Sequence, residues 1–381
     1  MTHEARHRST TAATVLRSVL DNGPVARSTI ARLTGLSAAS VTRQYTELAD
    51  RGLLREVHTR VPRATLGRPH VPVDIDVDRY AVCGVHIAFT HTTLSLLDLR
   101  GRVLSQEREP HPGRTPDAVF HGILDRFPRF LDRHRNGRVP LGIGLATGGW
   151  VDPERGVIVR HSQLGWRDVP AREALRPLHL PVHVESHSRA LVRAEQLFGD
   201  QRSRTSVVHL FVGNVVDAAI ATAGTVHHGP GAAAGEIAHL RLDGSTARCP
   251  CGRRGCLQAT VSDRALAERA AGSGLIPEPD FPLLVARARE GDREATGLLR
   301  ERARHVGRAA GLLLDVINPE VLVLTEAGVV HLPECLAEVR TQVGDRAEAV
   351  VPTSFGRDVL SVAAGSVVLD AIYGSPLDLC A

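Results

Sequence analysis

Apolar positions recur at helical spacing near the start of the chain and at strand spacing further on. Over Thr11 to Asp21, Val15, Leu16, Val19 and Leu20 share one face, which predicts a helix ended by Asn22-Gly23-Pro24. A second helix is predicted from about Arg27 to Leu33, with Ile30 and Leu33 inward. Its start is weakly fixed, because Ala26 stands where a Ser or Asp would cap it. Thr34-Gly35-Leu36-Ser37 reads as a tight turn: Gly35 takes positive φ, Leu36 plugs the core and Ser37 caps the next helix. That third helix, Ala38 to Arg51, turns Val41, Tyr45 and Leu48 inward and shows Ala39, Ser40, Thr42 and Arg43 on its other face. Gly52-Leu53-Leu54-Arg55 then begins a strand, and Arg55 to Val73 is predicted to form a hairpin.

From Tyr80 the pattern changes. Ala81–Ala88 and Thr93–Asp98 read as strands, and Gly101-Arg102 turns into Val103-Leu104. Further strands are predicted at Leu141–Ala146, Val182–Glu185, Ser206–Val212, Ala218–Ala221 and Glu320–Leu324. Helices are predicted at Asp117–Arg133, Arg189–Phe198 and through most of Asp263–Asn318. This alternation predicts an α/β protein of two lobes with a cleft between them. The 381 residues suit two or three domains. The expected division is 1–72, 73–190 and 191–381, with a C-terminal helix at about 363–377 packing back onto the second unit. No apolar run approaches the ~20 residues needed to span a bilayer. Met1-Thr2-His3-Glu4-Ala5-Arg6 also lacks a secretory core, so no membrane and a cytoplasmic location are expected.

Charge changes the picture only for the first unit. The net charge is +4, yet residues 1–72 hold eleven arginines against five acids, so the remainder is slightly acidic. A basic module on a near-neutral body suggests a polyanion as partner. A general arginine bias is the plain alternative, since the chain contains no lysine. The spacing of the helices decides: it is that of a helix-turn-helix with a short, polar, arginine-bearing recognition helix. Ser37, Ser40, Thr42 and Arg43 are the candidates for the major groove, and Thr29 and Arg32 for the backbone. Within the hairpin, Gly67-Arg68-Pro69 is similar to a minor-groove hook, an extended arginine on a slim backbone, which makes Arg68 a candidate too.

Candidate chemistry concentrates in Gly235–Gln258. Cys249, Cys251 and Cys256 fall within eight residues, and His239 lies a short loop upstream. Three thiolates and an imidazole complete a tetrahedral zinc shell with no open position for a catalytic water, which predicts a structural Zn2+. Gly252 and Gly255 let the loop turn sharply enough for the thiols to converge. Cys83, Cys335 and Cys380 stand alone and read as ordinary core or surface thiols.

These pieces, taken in order, resemble the ROK family (repressors, open reading frames and sugar kinases). They are the helix-turn-helix with Gly67-Arg68-Pro69, Gly149–Gly156, Leu164–Pro170, Val184-Glu185-Ser186-His187, and Gly235-Glu236-Ile237-Ala238-His239 with its cysteines. The resemblance implies an actin-like, two-lobed fold of the sugar kinase and ribonuclease H kind behind a winged helix-turn-helix. It further implies a homodimeric or homotetrameric, sugar-responsive transcription factor. Such a factor would bind a double-stranded DNA operator, most simply as a repressor of carbohydrate-related or secondary-metabolism genes. The alternatives are a sugar kinase of the family, or a regulator that has lost sugar sensing and answers to another metabolite or a protein partner.

The resemblance also exposes departures. Kinases of the family carry Asp-x-Gly-Gly-Thr after the first strand, where this chain has His86-Ile87-Ala88-Phe89-Thr90. Their catalytic base is the Asp of Glu-Asn-Asp, here Glu185-Ser186-His187. Their second phosphate loop is glycine-rich, whereas Gly213-Asn214-Val215-Val216-Asp217 keeps one glycine and brings a negative charge. Lost phosphate cradles and a replaced base predict a chain without kinase activity. By the same resemblance a sugar would meet Ser186, His187, Glu236, His239 and Gln258. Only Glu236 and His239 match the family there, so an altered ligand, weak binding or none is expected.

Overall fold

A computed structural model describes residues 10–57 and 71–378. Gly67-Arg68-Pro69 and Cys380 lie outside the described residues. The chain opens with α1 (Thr11–Asn22), α2 (Arg27–Thr34) and α3 (Ala38–Asp50). Thr10 caps α1 and Ser37 caps α3, each accepting from the backbone three residues on, while Ala26 gives α2 no side-chain cap. Val41 and Leu48 are buried as their spacing predicts, with Gln44 between them. Leu33 is not inward: it is 48% exposed. The helix is only eight residues long with Ile30 as its buried residue, and Leu36 in the following turn packs against the core. Strands β1 (Leu54–Glu56) and β2 (Val73–Ile75) pair antiparallel beside these helices, so the paired strands of the N-terminal module reach past residue 72 to Ile75.

The first lobe comes next in the chain. It holds β3 (Tyr80–Ile87), β4 (His91–Leu97), β5 (Val103–Pro110), α4 (Pro116–His134) and β6 (Val139–Thr147). Beyond β6 lie a small antiparallel sheet of β7 (Trp150–Asp152), β8 (Val157–His161) and β9 (Trp166–Val169), then α5 (Ala171–Ala174) and β10 (Val182–Ser186). Helix α6 (His187–Phe198) leads to the second lobe, with β11 (Val207–Val212), β12 (Val216–Thr222) and β13 (Thr225–Val226). The helices α7 (Leu257–Val261), α8 (Asp263–Gly272), α9 (Phe281–Arg289) and α10 (Arg293–Ile317) come after the cysteine loop. The chain closes with β14 (Val321–Glu326), α11 (Ala327–His331), α12 (Pro333–Val343), β15 (Val350–Pro352) and α13 (Val359–Gly374).

The two main sheets share one topology. Their orders are β10-β6-β3-β4-β5 and β13-β12-β11-β14-β15. In each, an antiparallel run of three strands is extended, beyond its first strand, by two parallel ones. Helix α13 returns to the first lobe and lies across β3 and β6. Its approach needs glycine beneath it: a Cβ on Gly144 would sit 1.9 Å from the Ala364 carbonyl oxygen. Helix α6, which contains the expected lobe boundary at 190, packs on α13 and also on β11 and β12. It thus belongs to both lobes.

The N-terminal module shares a core with the body. Val15, Leu16 and Val19 of α1 join Tyr80, Leu99, Leu197, Ile372 and Tyr373 in one apolar cluster. Polar ties surround it. Arg17 donates to the Gln196 carbonyl, Arg100 donates to the Leu20 carbonyl at 3.0 Å and pairs with Asp74, and Tyr80 donates to the Arg51 carbonyl at 2.8 Å. Asp21 pairs with Arg204 at 2.8 Å, at the entrance to the second lobe.

Candidate functional site

Helix α3 sets the first group of candidates. Its capping residue Ser37 is exposed, and so are Thr42 and Arg43, while Ser40 is half-buried one turn above Ser37. The Ser37 hydroxyl accepts from the Ser40 amide at 3.2 Å, which fixes the helix start. Arg32 is exposed and Thr29 half-buried on α2. Arg27 is drawn away from this face, stacking over the Tyr45 ring at 4.8 Å and facing Glu56 at 3.7 Å. The polar end of α3 is thus exposed and held on a core shared with the first lobe.

The cysteine loop brings the four sulfur and nitrogen candidates together. His239, Cys249, Cys251 and Cys256 place their ligand atoms within 4.8 Å of one another. His239 Nδ1 lies 3.6 Å from Cys249 Sγ, and Cys251 Sγ lies 3.7 Å from Cys256 Sγ. The edges of a tetrahedral zinc shell are about 3.6 Å for nitrogen to sulfur and about 3.8 Å for sulfur to sulfur, so both pairs fit. No disulfide joins these thiols. The backbone builds the shape: Gly252 donates to the Cys249 carbonyl at 3.0 Å and Leu242 donates to the Gly255 carbonyl at 2.8 Å. A Cβ on Gly255 would lie 2.6 Å from the Ser245 carbonyl oxygen, so only glycine fits. A hydrogen bond from Arg253 draws the Cys251 thiol down to about 6, whereas burial pushes Cys256 up to about 11. The donor set can hold a metal ion. Of the lone thiols, Cys83 and Cys335 are buried, and burial pushes both up to about 12.

The cleft between the lobes separates the remaining candidates. Ser186 caps α6, its hydroxyl accepting from the Arg189 amide. Beside it Glu185 accepts from the buried Arg189 at 2.7 Å, and Arg189 also donates to the Val151 carbonyl at 2.6 Å. Burial pushes Glu185 up, but His228, Arg189 and Arg193 outweigh it and hold the carboxyl below its ordinary value. His187 is buried, with Nε2 3.2 Å from Asp217 Oδ1, and Ser188 donates to the same oxygen. Gln258 is fully engaged: its oxygen accepts from the Val216 amide at 2.7 Å and its nitrogen donates to the Asn214 carbonyl. Glu236 is exposed and accepts from Arg160 at 3.3 Å; partial desolvation of its side chain and the charge of Asp217 raise its carboxyl. A cavity of about 680 Å³ lies alongside. His187 lines it together with His86, His161, Phe89 and Phe211, but Ser186, Glu236, His239 and Gln258 do not.

Residues 82–363 match the ROK family. The chain belongs to that family. Transcriptional regulator Rv0485 of Mycobacterium tuberculosis is 34% identical over 389 residues, covering 96% of this chain and 86% of that protein. The DNA-binding transcriptional dual regulator NagC of Escherichia coli K12 is 29% identical over 346 residues, covering 87% of this chain and 84% of NagC. Among solved structures, a ROK family transcriptional regulator homologous to the E. coli MLC protein matches with a TM-score of 0.76 at 21% identity, over 97% of this chain and 98% of that one. A ROK glucokinase from Streptomyces griseus, in complex with glucose and AMPPNP, matches with a TM-score of 0.65 at 24% identity, over 98% of its own length but 75% of this chain. Within the family the chain is a transcriptional regulator. The family match begins at Val82, behind the N-terminal module, and the regulators are matched through that module's share of the chain.

Set beside what ROK kinases require, the departures here are physically linked. The sequence suggests that Asp217 brings a negative charge to a phosphate loop. Instead, Asp217 sits inside β12 rather than in the loop, and its carboxylate faces His187, which stands where the kinase base would be. One replacement satisfies the other. Burial pushes Asp217 up, and His187 and Ser188 outweigh that and hold it below its ordinary value. Val215 of that loop packs against Gly148, its side chain within 2.8 Å of where a Cβ on Gly148 would be. Sequence reasoning passed over His161, His209 and Arg302, all buried at the cleft or behind it. A lone charged residue in an apolar strand, as in Val216-Asp217-Ala218-Ala219, was the available signal for such a buried partnership.

Proposed function

We propose that this ROK regulator is an operator-binding repressor with a structural zinc and no phosphoryl-transfer activity. The observation that carries the reading is the exposed, capped N-terminal end of α3, with Thr42 and Arg43 outward, on an N-terminal module cored into the first lobe. Ser37, Ser40, Thr42 and Arg43 would approach base edges, with Thr29 and Arg32 on phosphates and Arg68 in the minor groove. Two such modules in a homodimer or homotetramer would meet paired half-sites, which places the work on DNA in the cytoplasm. His239, Cys249, Cys251 and Cys256 would hold Zn2+ as a closed, purely structural shell.

Loss of kinase activity is supported by the same cleft. The two phosphate loops lack the family's glycines, and Val215 stands against Gly148 at the second, which supports the absence of a cradle for a triphosphate. NagC relatives are named N-acetylglucosamine repressors, which supports a sugar or sugar-derived effector. The second reading, a regulator that answers to another metabolite, is favoured by Gln258 and Ser186. Both polar side chains are already engaged by backbone, so the sugar side of the cleft keeps only Glu236 and His239 from the family set. A ligand that alters lobe closure would move α6, and with it the seat of α1.

The reading is tested with a DNA fragment recovered by genome-wide mapping of bound sites. Arg43→Ala is expected to weaken binding to it by about 1–3 kcal/mol, and Arg68→Ala to weaken it as well. Unchanged affinity in both variants would refute the DNA assignment. ATP-dependent phosphorylation of a panel of hexoses and amino sugars should stay at background; turnover would refute the loss of activity.

A further inference from the structure

The interlobe cavity combines two features that the regulator reading leaves unused. The first is its walls. Phe89, Phe211 and Phe281 line it, three of only eight phenylalanines in a chain that is 3% aromatic. The second is His86, which is buried at its edge and has no partner for either ring nitrogen among the described residues. Its neighbours are provided for. His187 has Asp217, His161 accepts from the Leu164 amide at 3.2 Å, and His91 meets Thr90 and Arg108. A buried polar group without a partner is uncommon enough to require an explanation, and here the explanation opens into a cavity of ligand size.

The chemistry of the lining narrows the ligand. Burial, with His187, His91, His161 and Arg108 nearby, lowers the His86 pKa well below the ordinary value and keeps the ring neutral. A neutral imidazole offers one donor and one acceptor, which a hydroxyl can match in either sense. Anions fit poorly. Of the acids at the far end Arg302 holds Asp263 at 2.7 Å while Glu278 and Asp280 remain, and of the arginines Glu268 holds Arg264, which leaves the two carboxylates against the single guanidinium of Arg108. The aromatic walls favour a flat, apolar body.

We infer that this cavity binds an uncharged, hydroxylated aromatic molecule, its rings against the phenylalanines and a hydroxyl on His86. The inference rests on the chain being a ligand-responsive regulator and gives that ligand a chemical class and a place. It differs from both a sugar and a nucleotide.

The test is calorimetric titration of the full-length protein with the trihydroxyflavone apigenin and with 2-naphthol, against unsubstituted flavone, glucose, N-acetylglucosamine and ATP. Saturable one-to-one binding of apigenin is expected, at least about tenfold tighter than flavone. His86→Leu should weaken apigenin at least about tenfold while operator binding persists, and Phe89→Ala should weaken it about fivefold. Should His86→Leu fail to fold, the flavone comparison and Phe89→Ala decide the matter. Apigenin affinity unchanged in the variants, or a preference for ATP or a sugar, overturns the inference. So does a protein that binds its operator but takes up neither phenol. A protein that fails to bind any mapped DNA fragment at low salt overturns the regulator reading instead.

Discussion

His187 and Asp217 illustrate how single residues decide this molecule's chemistry. A histidine in place of a catalytic carboxylate could still act as a base if its ring nitrogen faced substrate. Here Nε2 faces the buried Asp217 carboxylate at 3.2 Å, which orients the ring and fixes its tautomer, so Nδ1 is the nitrogen left to accept a proton. Gln258 is a parallel case. It directly follows Leu257, which comes after the metal-loop residue Cys256, and its amide holds the backbone of Asn214 and Val216 at the cleft. The metal loop and the cleft are therefore mechanically continuous. Replacing Cys256 by Ser should reduce bound zinc from about one per chain to near none, and lower stability by several kcal/mol, because binding energy in such loops is folding energy. Metal analysis after mild purification, together with denaturant unfolding, measures both.

Among the first three helices, α2 is the one without a side-chain cap at its start. Ala26 gives it no side-chain cap, and Ile30 is its one buried residue. Ala26→Ser should supply the missing acceptor and raise stability by about 1 kcal/mol, read as a higher urea midpoint with unchanged slope. Helix α1 is the opposite case, fastened on several sides. Arg100 reaches the Leu20 carbonyl at its C-terminal end and also pairs with Asp74 within strand β2. Arg100→Ala is expected to cost about 1–3 kcal/mol of stability and to weaken operator binding, while zinc content is unchanged. Operator binding at wild-type strength would show that the seat of α1 does not govern the DNA module.

For the whole molecule, the cleft histidines predict a response to acid. Burial lowers His161 to about 4 and His209 to about 3. The folded protein keeps both neutral, whereas the unfolded chain protonates them near the ordinary value of about 6.5. The unfolded state then binds more protons, so their contribution is complete above about pH 6.5 and is lost as pH falls below it. By pH 5 each forfeits about 2 kcal/mol. Asp217, held below its ordinary value, is lost in the same direction but at lower pH. Calorimetric Tm should therefore fall between pH 7.5 and 5, and His209→Leu should flatten that dependence.

Much of this was legible in the chain because it is local. Periodicity marks α1 and α3, the Ser37 cap and Gly35 mark the turn between α2 and α3, and four ligands within a short segment mark the metal loop. Contacts between distant segments were not legible. That Leu33 is left exposed, that Asp217 answers His187 across the lobes, that Gln258 serves backbone, and that α1 shares its core with α13 all depend on how the elements meet. The sequence by itself determined the elements, the family resemblance and which residue types could ligate or touch DNA, because those depend on spacing and side-chain chemistry. Only the tertiary structure decided which polar groups were already spent and which, like His86, were not, because hydrogen bonding inside a low-dielectric cleft is settled by neighbours far away in the chain.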